Sequence, residues 1–300
     1  MIVITAPTGQ IGHQVSANLV ASGESIRVIT RDPSRLPRET RDRVEVIQGS
    51  HVDRDVVDEA FAGSDAVFWL LPPDPRAGSV DAAYVDFTRP AAEAFKRYGV
   101  KRVVGISSLG RGTELAANAG FVTASLAMDD LIASSDVSYR AVTNPSFMDN
   151  ILRQVELIKS KGIFTSVIAG DHKMPSCATR DTAAVAARLL VDHSWSGRAD
   201  IPVLGPEDIS FNDMAQIMSD VLDTPVLFQQ IPAEVFKTRM MERGMSEAMA
   251  QGQLDMALAK DAGLDNAEPR TPEATTPTSF RKWCEDVLKP AVLGEDLRRG

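Results

Sequence analysis

Residues 6–12, Ala-Pro-Thr-Gly-Gln-Ile-Gly, carry the most specific chemistry in the chain. A short apolar, β-branched run at 2–5 precedes them. Ile11, Val15 and Leu19 then recur at four-residue spacing up to Gly23, the pattern of a strand turning into a helix. In that setting glycine lets the backbone turn tightly and approach a pyrophosphate, whose charge sits against unpaired amides at the helix start. Thr8, Gly9, Gln10, Ile11 and Gly12 are therefore expected to bind a dinucleotide. Proteins specific for NAD usually place an acid about 20 residues further on, to hold the ribose 2′-hydroxyl. Here that place is Arg31, with Arg35 near it, and a guanidinium pairs with a 2′-phosphate. NADP(H) is favoured over NAD(H) on that ground, although Asp32 follows immediately and could serve NAD instead.

The elements that must position this loop read as alternating strands and helices. Strand-like runs at 26–30, 44–47, 66–71, 102–106 and 137–142 frame a helical stripe of Phe87, Ala91, Ala94, Phe95 and Tyr98. The run at 66–71 is apolar throughout, as a strand buried on both faces should be. The expected fold is α/β, a doubly wound, mainly parallel Rossmann-type sheet with a smaller C-terminal α/β lobe roofing the cofactor cleft. Residues 1–150 form the binding domain in this reading. Residues 151–300 form a mixed substrate or partner lobe, part of which returns to the main sheet. In that second half a helix is predicted at 183–191, capped by Thr179 or Asp181, and a strand at 201–204. Ser210 and Asp213 resemble a capping box ahead of Met214, Ile217, Met218 and Val221. A strand at 226–231, a methionine-rich helical region from Pro232, a linker at 271–278 and a helix at 280–288 complete it.

Bulk properties narrow the function classes. A net charge of −9 argues against a broad nucleic-acid or anionic-membrane surface. No apolar run is long enough to span a bilayer, and no signal-peptide pattern is visible, so a cytoplasmic location is expected. Cys177 and Cys284 stand far apart, outside any ligand spacing, and read as two reduced thiols. The four histidines are scattered, so no metal site is expected.

The loop resembles the GATGxxG fingerprint of the NmrA-like family of atypical short-chain dehydrogenases. Further segments are similar to that family: Thr30-Arg31-Asp32, the Pro-Pro after residue 71, GVKRVVGISSLG at 99–110 and NPSFMDN at 144–150. ATRDTAAVAARLL at 178–190 and LGPEDISFNDMA at 204–215 extend the resemblance over roughly three-quarters of the chain. It implies that Ser50 lies where these proteins often have an Asp touching the adenine. It implies too that Leu70, Leu71 and Pro72 line the cofactor, with Ser107, Ser108 and Pro145 near it. Asn144, Phe147, Met148 and Asn150 would then border the substrate pocket. Ala6 stands where the family usually has its first glycine, and alanine is expected there only at negative φ.

Ordinary short-chain dehydrogenases protonate substrate from a Tyr whose partner Lys lies four residues on. Tyr84, Tyr98 and Tyr139 are followed at that spacing by Thr88, Arg102 and Thr143. The resemblance puts Val122 and Leu126 where the pair would be. No catalytic residue is assigned. A quinone-like acceptor could still take hydride from the cofactor and its proton from water or a hydroxyl such as Ser107. The primary reading is thus an NADPH-dependent reductase of a small, apolar, conjugated substrate. The alternative is a dinucleotide redox sensor acting on a regulatory protein partner. Met240, Met241, Met245, Met249 and Met256 could wall an apolar pocket, pack a core or face a partner. Arg111 could meet an anionic substrate or stand in solvent.

Overall fold

The protein is described by a computed structural model covering residues 1–294. In chain order the strands are β1 (Ile2–Ile4), β2 (Ile26–Thr30), β3 (Glu45–Gln48), β4 (Ala66–Trp69), β5 (Arg102–Ser108) and β6 (Ser138–Asn144). There follow β7 (Ser146–Phe147), β8 (Ile163–Ser166), β9 (Met174–Cys177), β10 (Arg198–Pro202), β11 (Asp208–Ile209) and β12 (Leu227–Gln230). The α-helices are α1 (Gln10–Ser22), α2 (Arg38–Arg41), α3 (Arg54–Phe61), α4 (Phe87–Tyr98), α5 (Phe121–Ala133) and α6 (Val155–Lys161). They continue with α7 (Thr179–Val191), α8 (Phe211–Leu222), α9 (Ala233–Glu242), α10 (Glu247–Asp261), α11 (Phe280–Trp283) and α12 (Lys289–Leu293).

These elements form two compact units. The first comprises Met1–Ser108, Val122–Thr143 and Thr182–Ile201, and the second Leu109–Phe121, Asn144–Asp181 and Pro202–Gly300. The first is built on a seven-stranded sheet in the order β10-β6-β5-β4-β1-β2-β3. The pairs β1·β2, β1·β4, β2·β3 and β4·β5 are all parallel, with Ile2 opposite both Ile26 and Ala66. This is the mainly parallel Rossmann-type sheet that the alternating pattern predicts. β1 and β4 are buried at every position, as their unbroken apolar runs require. Helix α1 buries Ile11, Val15 and Leu19 and ends at Gly23, whose φ of 81° is the left-handed stop that glycine allows. Val57, Phe61, Phe95, Met128 and Ile132 from three helices pack with Val3, Val67, Trp69 and Val103 into one core. Such close-packed burial is the main term holding the unit together.

The second unit holds a three-stranded sheet, β11-β9-β7, and the parallel pair β8·β12. Its core gathers Phe164, Met214, Met218, Phe280, Trp283 and Leu288. Helix α8 opens with the capping box expected of Ser210 and Asp213, each side chain bonded to the other's backbone. The methionine-rich region is two helices separated at Gly244, not one. Of its methionines, Met249 is buried and Met241 is exposed.

Two expectations are corrected. The strand expected at 201–204 is β10, beginning at Arg198, and Leu204 lies outside it. The expected linker at 271–278 is held in place. Leu204 N–H donates to the Ala274 carbonyl at 2.7 Å, and Thr276 N–H to the Leu204 carbonyl at 2.7 Å. Asp181 accepts from Thr278 N and Oγ at 3.1 and 2.8 Å. Backbone pairing of this kind leaves no composition signal, so threonine and proline there read as loose chain. For the same reason β7, β8, β9 and β11, each only two to four residues long, were not foreseen.

Candidate cofactor site

The first unit puts the glycine loop at a change of direction in its sheet. From β1 the chain proceeds to β2 on one side, while β4 lies on the other. Open α/β sheets place ligands at such points, outside the carboxyl ends of the strands. The loop holds itself by Gly9 N–H donating to the Ala6 carbonyl at 3.1 Å. Gly9 precedes α1 with no side-chain cap, and no acid occupies the first turn, so the helix's leading amides are left for an anion. Gly12 is fixed by sterics: a Cβ there would come within 2.1 Å of the Ala6 carbonyl oxygen. A Cβ on Gly9 would meet that oxygen at an ordinary 3.5 Å, so the turn itself does not require glycine there.

Ala6 departs from expectation. Its φ is +49°, not negative. The turn imposes the left-handed conformation whatever the side chain, and alanine bears a strain of about 1 kcal/mol for it. Thr5, which sequence reading passed over, stiffens the same corner. Its Oγ accepts the Leu70 N–H at 2.8 Å and lies 2.8 Å from the Leu70 carbonyl oxygen, tying the end of β1 to the end of β4.

At the end of β2, Arg31 and Arg35 are both exposed. One oxygen of Asp32 is engaged locally: its Oδ1 accepts from Ser34 Oγ at 2.6 Å and Ser34 N at 3.0 Å, capping a short 3₁₀ turn. These bonds, the side-chain one first, hold its carboxyl below the usual range. Ser50 is half-buried, and the next residue, His51, is buried edge-on against Trp69 and Phe87. Burial pushes the His51 pKa down to about 4, a hydrogen bond to the Leu70 backbone opposes this, and the nearby Arg31 charge adds to the lowering. Leu70 is half-buried, Leu71 joins the core and Pro72 is exposed.

The end of β5 is assembled from side chains. Ser107 Oγ donates to Asp129 Oδ2 at 2.5 Å and lies 3.4 Å from Ser125 Oγ, while Tyr139 OH donates to Asp129 Oδ1 at 2.6 Å. Asp129 has no exposure, and Tyr139 is held protonated well above its ordinary range by burial and by that carboxylate. Ser108, next along the strand, is partly exposed. Val122 and Leu126 are buried on α5. Thr5 and Asp129 left one faint signal each: a hydroxyl just before the loop, and the first of two adjacent acids on a largely apolar helix.

In the second unit, the residues of the NPSFMDN segment have separate settings. Asn144 is buried, with the Cys177 thiol 3.8 Å from its Oδ1, and Pro145 is buried beside it. Met148 sits in the unit's core, Phe147 is half-buried and Asn150 is exposed. Asp149, not singled out from sequence, accepts from Thr179 N and Oγ at 2.9 Å each, capping the start of α7. Thr8 through Gly12, Arg31, Leu70 and Ser107 thus share the carboxyl ends of adjoining parallel strands, whereas 144–150 belong to the second unit. Among the described residues, no group of three or more His, Cys, Asp or Glu is placed to hold a metal ion. No described helix is long and apolar enough to cross a membrane.

Comparison with known proteins agrees with this geometry. The pattern of the NAD(P)H-binding family matches residues 7–193. The chain is 31% identical to (4-alkanoyl-5-oxo-2,5-dihydrofuran-3-yl)methyl phosphate reductase of Streptomyces griseus, over 94% of this chain and 96% of that protein. It is 26% identical to the NAD(P)H azoreductase of Xenophilus azovorans, over 92% and 93% of the two chains. In structure it is similar to an NADPH-dependent quinone oxidoreductase of Escherichia coli, with a TM-score of 0.75 at 21% identity, covering 94% and 98% of the two chains. The chain belongs to the NAD(P)H-binding family, among its reductases of the atypical short-chain dehydrogenase, NmrA-like type.

Proposed function

We propose that the protein is an NADPH-dependent reductase of a small, apolar, conjugated acceptor such as a quinone. The observation that carries the cofactor choice is the exposed Arg31 at the end of β2. It stands beside an Asp32 whose Oδ1 is bonded to Ser34. A guanidinium there pairs with a 2′-phosphate in a charge-assisted, two-point contact. Thr8 to Gly12 would hold the pyrophosphate, with Ser50 toward the adenine and Leu70, Leu71 and Pro72 along the cofactor. The bound nicotinamide supplies hydride, so the chain need not provide a Tyr/Lys pair, and a reduced quinone takes its proton from water. The reductase reading draws support from relatives whose names span a dihydrofuranone phosphate, azo compounds and quinones, all conjugated hydride acceptors.

The test is a fluorescence titration of wild type and Arg31→Ala with NADPH and NADH, followed by cofactor oxidation assays over quinones, enals and azo dyes. The expected result is an NADPH preference that falls about tenfold or more in the variant, with turnover of at least one acceptor class. Equal affinity for both cofactors in wild type would overturn the NADPH assignment. Tight binding of NADPH and NADP⁺ with no turnover across the panel would overturn the reductase reading. It would favour a sensor of dinucleotide redox state, to which the missing Tyr/Lys pair is equally suited.

A further inference from the structure

The adenosine ribose of NAD(H) carries a vicinal diol, and each of its two hydroxyls offers one hydrogen. A carboxylate meets such a diol best with one oxygen on each hydroxyl. The acid just past the end of β2 is Asp32, exposed at the place from which dinucleotide-binding sheets read that ribose. One of its oxygens is already full. A carboxylate oxygen has two acceptor sites, and Oδ1 takes both the Ser34 N–H at 3.0 Å and the Ser34 hydroxyl at 2.6 Å. Only Oδ2 is left for hydrogens from outside the turn. The backbone explains half of this arrangement. Asp32 is the N-cap of a 3₁₀ turn over Pro33–Arg35, closed by the Arg35 N–H on the Asp32 carbonyl at 3.2 Å and anchored by the buried Leu36. That cap needs only the N–H of residue 34, which any residue but proline supplies. The hydroxyl bond is surplus to the turn.

Resting on the NADPH reading above, we propose that Ser34 is a specificity-determining residue whose hydroxyl fills Asp32 Oδ1 and so denies the ribose of NAD(H) a two-oxygen acceptor. Ser34 acts through Asp32 and is a positioning residue, not a contact to the cofactor. The end of β2 then discriminates in two independent ways. The exposed Arg31 and Arg35 raise affinity for a 2′-phosphate, and Ser34 lowers affinity for the unphosphorylated diol. Specificity is a difference of two affinities, so a device that acts only on the weaker ligand still widens it. Removing the serine hydroxyl should therefore move NADH and leave NADPH nearly where it was.

Fluorescence titrations of wild type, Ser34→Ala and Ser34→Thr with NADPH and NADH test this. Alanine keeps the capping N–H and removes the hydroxyl, opening one acceptor site on Oδ1. In Ser34→Ala, NADH should bind about fivefold tighter, the worth of one hydrogen bond, while NADPH affinity stays within about twofold. Threonine carries the same hydroxyl, so Ser34→Thr should keep the wild-type ratio of the two affinities. Adding Asp32→Asn to Ser34→Ala should cancel the gain, because an amide offers a single acceptor oxygen. An unchanged NADH affinity in Ser34→Ala, or a gain that survives Asp32→Asn, would overturn the assignment while leaving the NADPH preference in place. A ratio in Ser34→Thr shifted as far as in Ser34→Ala would overturn it too, since the hydroxyl would then not be the cause. Equal affinity of wild type for the two cofactors, or binding of neither, would overturn the NADPH reading and this assignment with it.

Discussion

In the proposed cofactor site, the carboxyl ends of β1 and of β4–β5 are built against the same buried sheet by opposite means. At β1 the work falls to the backbone: a carbonyl at Ala6, uncapped amides beyond Gly9, and a glycine at position 12 that no other residue can replace. At β4 and β5 it falls to buried polar side chains, His51 against the Leu70 backbone and Asp129 beneath Ser107. Backbone recognition depends on the absence of atoms and is tuned by sterics. Side-chain recognition depends on protonation states and is tuned by burial. The two ends should therefore fail differently when altered.

Gly12→Ala should have the largest effect, abolishing NADPH binding in a titration and lowering the thermal midpoint, because the new Cβ collides with backbone at 2.1 Å. Retention of near wild-type affinity would mean that the loop is not rigid. His51 tests the opposite end through pH. Its pKa falls from 6.5 unfolded to about 4 folded. Above 6.5 both states are neutral there and the group has no pH effect. As pH drops from 6.5 to about 4 the unfolded chain takes up a proton that the folded chain refuses. Stability should thus decline by on the order of 3 kcal/mol across that window. In His51→Phe, denaturant melts between pH 7 and pH 4 should lose most of that decline, and an unchanged slope would assign it to the carboxylates instead.

Gly9→Ala sharpens the contrast within the loop. Its Cβ has room in the protein at 3.5 Å, so the thermal midpoint should hold while NADPH affinity drops about tenfold, as a methyl intrudes on the phosphate approach. Equal loss of stability and binding would show that Gly9, like Gly12, serves the turn. The smallest effect is expected from Ala6→Gly. Relief of a φ of +49° should offset the greater freedom glycine brings to the unfolded chain, for a net gain of at most about 1 kcal/mol.

This difference between the two ends also governs what the amino-acid order reveals. The glycine loop, β1 to β6, α1 with its stop at Gly23 and the capping box of α8 rest on local spacing, and local spacing is visible in one dimension. The Ser107–Asp129–Tyr139 cluster joins residues from β5, α5 and β6 that share no local pattern. Ser107 was legible as a strand-end hydroxyl, but the acid that takes its hydrogen was not. The strain at Ala6 was likewise hidden, since residue type favours one sign of φ and the surrounding turn dictates the other. In the second unit, Asp149 and the 271–278 segment are held by partners some 30 to 97 positions away, beyond the reach of any window.

The return of Thr182–Ile201 to the first unit has a consequence for any piece of this chain made alone. β10 is the strand that covers one flank of β6. A fragment ending near residue 150 would leave β6 an edge strand, paired with β5 on one side but with the amides and carbonyls that face β10 unpaired. Such an edge is a template for intermolecular strand addition. The late segment thus protects the early one from self-association. Shuffling the second half of this protein between relatives requires carrying α7 and β10 as part of the sheet they complete.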